Sequence, residues 1–407
     1  MIQGSETTSM QYFSFDSQNS RPASAAMIEP VGGHGGMHYY DFELCRGLMS
    51  AGCKVSLYTC DETPDPAIPG LSFYPVYRGI YGDGNRWIRG IRYVRATLAM
   101  LRTAAVTGER ICHYQVFNDL IPELTAISLM KLFGKKVVLT VHDVNSLAET
   151  GALKKRLTGM AYRLADRIIV HNGPSRKELE GLGVPSARTS VIPHGHYLDT
   201  MGKIPSPSQA RRALGIDDSA KVVLFFGQIK DAKGLDLLIE ALPEVARAIP
   251  DVVLLIAGRP WRTEFAGYDA LIDRLGVRGR CKLHIGFVPD KQVADYYSAA
   301  DVIALPYRRI YQSGVLIMAM TYERPVVVSD LPGMTEIVTD GVNGYVFKEG
   351  LSEDLAGVLV RVLRDESGRA RIARRAYELV RDNHDWAKIG ARTREVYRAL
   401  LSKNSAQ

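Results

Sequence analysis

The chain has 407 residues, too many for one ordinary hydrophobic core, so two domains are expected. Hydrophobic residues make up 46% and charged residues 23%, the balance of a soluble globular protein, and no apolar run reaches the roughly 20 residues that span a bilayer. The net charge of +7 leaves phosphate-bearing substrates, an anionic membrane surface and nucleic acid open, and does not choose among them.

Residues 1–23 are polar and lack the basic start and apolar run of a signal peptide, so they are expected to form a disordered tail. Short apolar runs then alternate with amphipathic helical stretches, the pattern of parallel α/β domains. In the first half the runs are 25–29, 54–59, 111–116, 136–141, 167–170 and 190–192. In the second they are 222–226, 252–257, 281–285, 301–305 and 325–329. The polar segment 199–221, with prolines at 205 and 207, reads as a linker, dividing the chain into 24–199 and 200–385. Residues 386–407 read as an amphipathic helix, anchored by Trp386 and Tyr397, that packs back on the body. The five cysteines (Cys45, Cys53, Cys60, Cys112, Cys281) are odd in number and include no C-x-x-C pair. They argue against a disulfide framework or a zinc site and fit a reducing cytoplasm.

Open α/β sheets bind ligands beyond the carboxyl ends of their strands, so chemistry is sought there, in a cleft between two facing domains. After the first run, "EPVGGHGGMHYYDFELC" places Gly32, Gly33, Gly35 and Gly36 before a helix starting near Met37. Such a loop lets backbone amides and a helix dipole approach a phosphate, although a flexible turn explains it about as well. "NRWIRGIRYVRATLAMLR" carries Trp87, Ile91, Val94, Leu98 and Leu101 at helical spacing. Arg86, Arg89, Arg92, Arg95 and Arg102 lie largely away from that stripe, without an acidic residue among them. A basic amphipathic helix of this kind can rest on anionic lipid, and an ordinary helix with a solvated basic face is the alternative. "VVLTVHDVNS" ends a buried strand with His142 and Asp143, and Asn118 follows the run 111–116. His194 and His196, in "VIPHGHY", fall near the crossover between halves, where a structural or hinge role is expected. "VVLFFGQIKDAKGLDLLIEAL" brackets Lys230 and Lys233 between Gly227 and Gly234, and two ammonium groups beside a helix N-terminus suit a diphosphate.

Taken together and in order, "VIPHG", "FFGQIKDAKGLDLLIEAL", "YYSAADVIALPY", "QSGVLIMAM" and "RPVVVSDLPGMTEIVTDGVNGYVF" resemble the group 1 glycosyltransferases, glycosyltransferase family 4. The resemblance covers roughly residues 24–400 and is strongest over 222–347. It implies a GT-B fold of two Rossmann-like α/β domains with parallel sheets facing across a cleft. It also implies a nucleotide-sugar donor held by the second domain, an acceptor held by the first, and metal-independent transfer with retained anomeric configuration. On that resemblance His142 and Lys233 are the catalytic candidates. Gly35, Gly36, Lys230, Lys233, Ser313, Gly314, Val315 and Glu336 would hold the donor, and Asn118 and Asp143 the acceptor. The nucleotide-sugar is a substrate, and no separate cofactor is implied.

Two departures stand out. Gln228 occupies the position of the family's usual arginine, with Lys230 two residues on. The family's two glutamates, eight positions apart, are replaced by Ile310 and Met318, or by Tyr311 and Ala319 in the neighbouring register. Tyr311, Gln312 and Glu336 are the candidates for taking over their sugar contacts. The leading expectation is a cytoplasmic enzyme of bacterial surface or exopolysaccharide synthesis, acting on a glycan or polyprenyl-diphosphate-linked acceptor. Arg86, Trp87, Arg89, Arg92 and Arg95 would then face the inner membrane surface. A catalytically silent GT-B protein that binds a glycan or a partner transferase is the alternative, an epimerase is disfavoured by the motif order, and nucleic-acid binding lacks interleaved stacking aromatics.

Overall fold

The computed structural model describes residues 23–33, 38–82, 84–116, 120–144, 152–261 and 263–402. The expected tail, apart from residue 23, and the candidates Gly35, Gly36 and Asn118 lie outside the described residues.

The first half runs β1 (Ser24–Glu29), α1 (His38–Ser50), β2 (Lys54–Cys60), β3 (Ser72–Tyr77), α2 (Arg86–Val106) and β4 (Ile111–Val116). It continues with α3 (Leu120–Leu132), β5 (Lys136–Val141), α4 (Ala152–Leu164), β6 (Arg167–Val170), α5 (Gly173–Gly181) and β7 (Thr189–Val191). Its seven strands lie in the order β3-β2-β1-β4-β5-β6-β7, with every paired strand parallel. Central strands such as β4 are buried along their whole length, which is why they read as unbroken apolar runs. β3 was not anticipated. It is a half-exposed edge strand containing Pro75, and an edge is where a sheet tolerates a residue that cannot donate to the ladder.

The second half holds α6 (Pro207–Leu214), β8 (Lys221–Phe226), α7 (Leu235–Ala248), β9 (Val252–Gly258), α8 (Ala266–Arg274), β10 (Cys281–Ile285) and α9 (Asp290–Ala299). It ends with β11 (Val302–Leu305), α10 (Gly314–Thr321), β12 (Val326–Ser329), α11 (Pro332–Thr335), β13 (Tyr345–Phe347), α12 (Ser352–Arg364), α13 (Glu366–Asn383) and α14 (Trp386–Ser402). Its sheet has six parallel strands in the order β10-β9-β8-β11-β12-β13. Each half is therefore an open parallel sheet covered by helices, and the two together form the GT-B architecture. The segment 199–221 is not featureless, since it contains α6. Ser206 and Gln209 form a capping box at its start, Pro207 sits at its first position, and Gly215 ends it in the left-handed conformation.

The chain crosses between halves at 192–198 and returns at 384–386, and the two crossings are tied together. His196 N donates to His384 O (2.8 Å), His384 Nδ1 to His194 O (2.6 Å) and Trp386 Nε1 to His196 O (2.7 Å). Gly195 sits so close to the Trp386 indole that a Cβ there would lie 2.1 Å from it, so only glycine fits. Beyond the return crossing, α14 leaves the second half and packs on α1, burying Trp386, Ile389 and Tyr397 with Leu44 and Leu48.

The apolar stripe of α2 does not pack on the sheet. Its buried face is Tyr93, Ala96, Thr97, Met100, Leu101 and Ala104, so of the anticipated apolar stripe only Leu101 is buried. Trp87 is 75% exposed and Ile91 60%, and Ile88 and Leu98 face solvent as well.

Candidate active site

The carboxyl ends of β8 and β9 carry the lysine loop. Ile229 N donates to Arg259 O and Trp261 N to Ile229 O, both at 3.0 Å, which ties the two loops into one ledge. Asp231–Lys233 form a single 3₁₀ turn that Gly234 ends in the left-handed conformation (φ 63°). A Cβ at Gly234 would lie 1.9 Å from Pro306 O, so the glycine is required twice over. This turn lays Lys233 Nζ 3.7 Å from the centre of the Tyr307 ring, while Lys230 Nζ lies 5.3 Å from that of Trp261.

Burial of the Lys233 ammonium pushes its pKa down to about 7, against the pull of Asp143. Lys230 is lowered by burial and then by Lys233, again opposed by Asp143. Asp143 belongs to the other half, at the end of β5, and burial raises its pKa while both lysines draw it back. The fold thus brings the three charges of "VHDV" and "KDAK" to one cleft, which no local pattern announces.

Ser313 caps α10, its Oγ accepting from Leu316 N at 3.2 Å. The amides of Gly314 and Val315, in the helix's first turn, receive no protein acceptor in the described structure, as the opening turn of a helix leaves them. Gly314 lies under the Tyr197 hydroxyl, where a Cβ would approach to 2.7 Å. Lys230, Lys233 and the α10 amides therefore form a cationic, donor-rich wall beyond the carboxyl ends of the second sheet.

His142 sits opposite, beside Asp143. Its Nε2 is 3.0 Å from Gln115 Oε1 and its Nδ1 3.2 Å from His171 Nε2, while His171 Nδ1 donates to Ile192 O at 3.0 Å. Burial, then His171, His194 and His113, hold its pKa well below the ordinary histidine value. It is a neutral ring whose Nε2–H donates to Gln115 Oε1, and it packs against the rings of Tyr40 and His171. The His171 partnership was not anticipated, because the pair meets through neighbouring strands.

Two further groups came only from the structure. Glu29, at the end of β1, accepts from Val31 N (2.9 Å) and Gly32 N, and burial raises its pKa to about 7. Asp41, on α1, is buried with no hydrogen-bond partner for either oxygen among the described residues, and burial and Glu29 raise its pKa well above the ordinary value. Glu29 as the last residue of a buried strand was the one signal in the sequence for this pair.

The three candidates for the lost glutamate contacts divide. Glu336 accepts from Gly173 N, 3.0 Å from each carboxylate oxygen, at the start of α5 in the first half. Tyr311 donates its hydroxyl to Glu178 at 2.9 Å and accepts at its carbonyl from Asn172 Nδ2. Gln312 is half-buried and makes no hydrogen bond of its own to the protein in the described structure.

Residues 208–379 match the family described as "Glycosyl transferases group 1", and residues 34–199 the one described as "Glycosyltransferase Family 4". The chain belongs to the group 1 glycosyltransferases. Among this family's members, the D-inositol 3-phosphate glycosyltransferase of Xylanimonas cellulosilytica is 28% identical, over 93% of this chain and 94% of the relative. The phosphatidyl-myo-inositol mannosyltransferase of Mycobacterium leprae is 26% identical, over 91% and 95%. The structure also resembles Anabaena HepE in complex with UDP-glucose, with a TM-score of 0.72 and 20% identity over 93% of this glycosyltransferase and 99% of that chain. That likeness is one of fold.

Proposed function

We propose that the protein moves a sugar from a nucleotide-sugar donor to a hydroxyl of a glycan or lipid-linked acceptor, with retained anomeric configuration. The observation that carries this is the wall formed by Lys230, Lys233 and the Gly314 and Val315 amides, facing His142 and Asp143 across one cleft. As the anomeric carbon–oxygen bond to the diphosphate breaks, negative charge grows on the leaving oxygen. Prepositioned ammonium and amide groups in a dehydrated cleft stabilise that charge without reorganising. The acceptor oxygen bonds to the anomeric carbon on the face the diphosphate leaves, and its proton passes to a diphosphate oxygen. His142, uncharged and fixed by its Nε2–H bond to Gln115 Oε1, acts as a wall beside the sugar. Gln312 is the sugar contact in this reading, since Tyr311 and Glu336 are occupied by α5.

A lipid-linked acceptor, as the name of the phosphatidylinositol relative implies for that protein, would bring the enzyme to a membrane. The exposed Trp87, Ile88, Ile91 and Leu98, flanked by Arg86, Arg89, Arg92 and Arg95, support peripheral binding to an anionic surface through α2. No helix among the described residues is long and apolar enough to cross a membrane.

A thermal-shift panel of UDP-, GDP-, ADP- and dTDP-sugars tests the donor assignment. A true donor at 100 times its dissociation constant stabilises the protein by about 2.7 kcal/mol. Silence across the panel overturns transfer in favour of a catalytically silent binding protein, and an inverted product from an active pairing overturns retention.

A further inference from the structure

A cavity of about 520 Å³ lies at the opposite end of the second sheet from the lysine wall. Asp301 and Pro325, which line it, directly precede β11 and β12, so it opens at the amino ends of these strands. It touches α10 as well, but at Thr321, the last residue of the helix. The Gly314 and Val315 amides stand in the first turn, about 10 Å away along the axis. None of the site residues above lines the cavity. Its size falls within the range of about 300–1,000 Å³ that holds small organic ligands.

One wall is apolar and wet. Residues 198–204 follow the first crossing between halves, and there Leu198 and Met201 are half-buried and Ile204 is exposed. Ala370, Ala373 and Tyr377 line the other side, on α13, the helix that leads into the return crossing. An apolar body laid between the two segments takes this surface out of water, which is favourable in proportion to the area covered.

Between the walls stands a cation without a counter-ion. Arg324, half-buried, donates from Nε to Tyr322 O (3.2 Å) and from Nη1 to Ala300 O (3.4 Å). Among the described residues its Nη2 meets no acceptor, and no carboxylate lies within 4.0 Å of the guanidinium. Burial lowers its pKa, while Asp301 and Glu323 pull the other way. Both of these acids are engaged elsewhere. Asp301 accepts from Arg211 Nη2 (2.8 Å) and Val222 N (2.7 Å) and lies 3.6 Å from the buried Arg369. Glu323 is exposed and lies 3.9 Å from Arg374. The remaining acid of the lining, Glu366, is exposed in the first turn of α13, where water and the positive end of the helix balance it. A guanidinium partly withdrawn from water and bonded only to carbonyls leaves the rest of its fork for the paired oxygens of an anion.

We infer that this cavity binds a small organic anion, a carboxylate or phosphate monoester on an apolar body. The head sits on Arg324 and the body against Leu198, Met201 and Ile204. The site goes beyond the glycosyltransferase reading and does not depend on it. Its occupant bridges the two chain segments that adjoin the hinge.

Calorimetric titration of the full chain with hexyl phosphate, hexanoate, hexanol and inorganic phosphate reads the site directly. At least one hexyl anion should bind tenfold or more tightly than hexanol, which lacks the head, and than inorganic phosphate, which lacks the body. Tighter binding of hexyl phosphate supports the site with a phosphate head, and equal or tighter binding of hexanoate supports it with a carboxylate. Arg324→Met should reduce the anions to the level of hexanol. That change also removes two carbonyl bonds, so Ala370→Trp serves as a second variant. Ala370 is exposed on α13, and an indole there should fill the cavity and abolish binding while the melting temperature holds. Lys233→Ala should leave anion binding unchanged. Anions no tighter than hexanol, or binding that survives both Arg324→Met and Ala370→Trp, overturns the site. Binding lost in Lys233→Ala overturns it too, by placing the anion on the diphosphate wall. Nucleotide-sugar affinity of the wild type is a separate measurement, and its failure overturns the transferase reading alone.

Discussion

Lys233 offers the sharpest quantitative test of the donor wall. In the free protein its pKa is pushed down to about 7, whereas an exposed lysine titrates near 10.5. A bound diphosphate sets two negative charges beside the ammonium and returns it to the charged form, so donor binding must take up a proton wherever free Lys233 is neutral. At pH 8 a group of pKa about 7 is roughly 90% neutral, so the uptake should be about 0.9 proton, falling to about 0.1 at pH 6. The affinity of a nucleotide-sugar, whose diphosphate does not itself titrate there, should then be nearly level below pH 6 and weaken about tenfold per unit above pH 7. Lys230, lowered in the same direction, adds to the trend, and Asp143, raised by burial, contributes on the acid side. Stability of the unliganded protein should run the opposite way. The unfolded chain keeps the proton up to about 10.5 and the folded chain only to about 7, so this group's contribution to stability rises with pH between those values. Calorimetry in two buffers of unlike ionisation enthalpy gives the proton count, and Lys233→Met should remove it. No uptake at pH 8, or uptake that persists in Lys233→Met, would refute the argument.

Two other variants address the hinge and the membrane face. Gly195→Ala forces a methyl to within 2.1 Å of the Trp386 indole, and overpacking of that kind costs about 1–3 kcal/mol; a wild-type urea midpoint would contradict the tight crossing. Arg92→Ser with Arg95→Ser removes two charges from the exposed face of α2. At about 1 kcal/mol per arginine, partition onto vesicles containing anionic lipid should fall about 30-fold. Unchanged co-sedimentation would rule out α2 as the contact.

What could be read in the sequence follows from how each feature is encoded. Buried parallel strands are continuous apolar runs, so all but the proline-bearing edge strand β3 and the short β13, which reads as a brief β segment after a glycine turn, show as such runs to within a residue or two. The helix α6 carries start and stop signals in Ser206, Pro207, Gln209 and Gly215, but Pro205 and Pro207 equally mark a linker, so the local sequence does not separate the two. Helical spacing in α2 reveals a stripe without saying which side meets the sheet. The sheet took the face with Ala96, Thr97 and Ala104, whose small side chains allow close approach, and left the larger Trp87 and Ile91 outside. The proximity of Asp143 to Lys230 and Lys233, like that of His142 to His171, belongs to the tertiary fold alone.

The absent glutamates take on a different meaning once Tyr311 and Glu336 are located. Both reach across the cleft to α5: the Glu336 carboxylate meets the Gly173 amide at the positive end of the helix, and the Tyr311 hydroxyl meets the Glu178 carboxylate farther along it. Glu336 is exposed, so its contact contributes only about 0.3–1 kcal/mol. The half-buried bond from Tyr311 to Glu178 has a charged acceptor and adds about 1.5–3 kcal/mol. Together they hold the two halves in the arrangement described by a few kcal/mol. Two of the three candidates for the missing glutamates' sugar contacts thus tie the halves together, which in the proposed reading leaves Gln312 to meet the sugar.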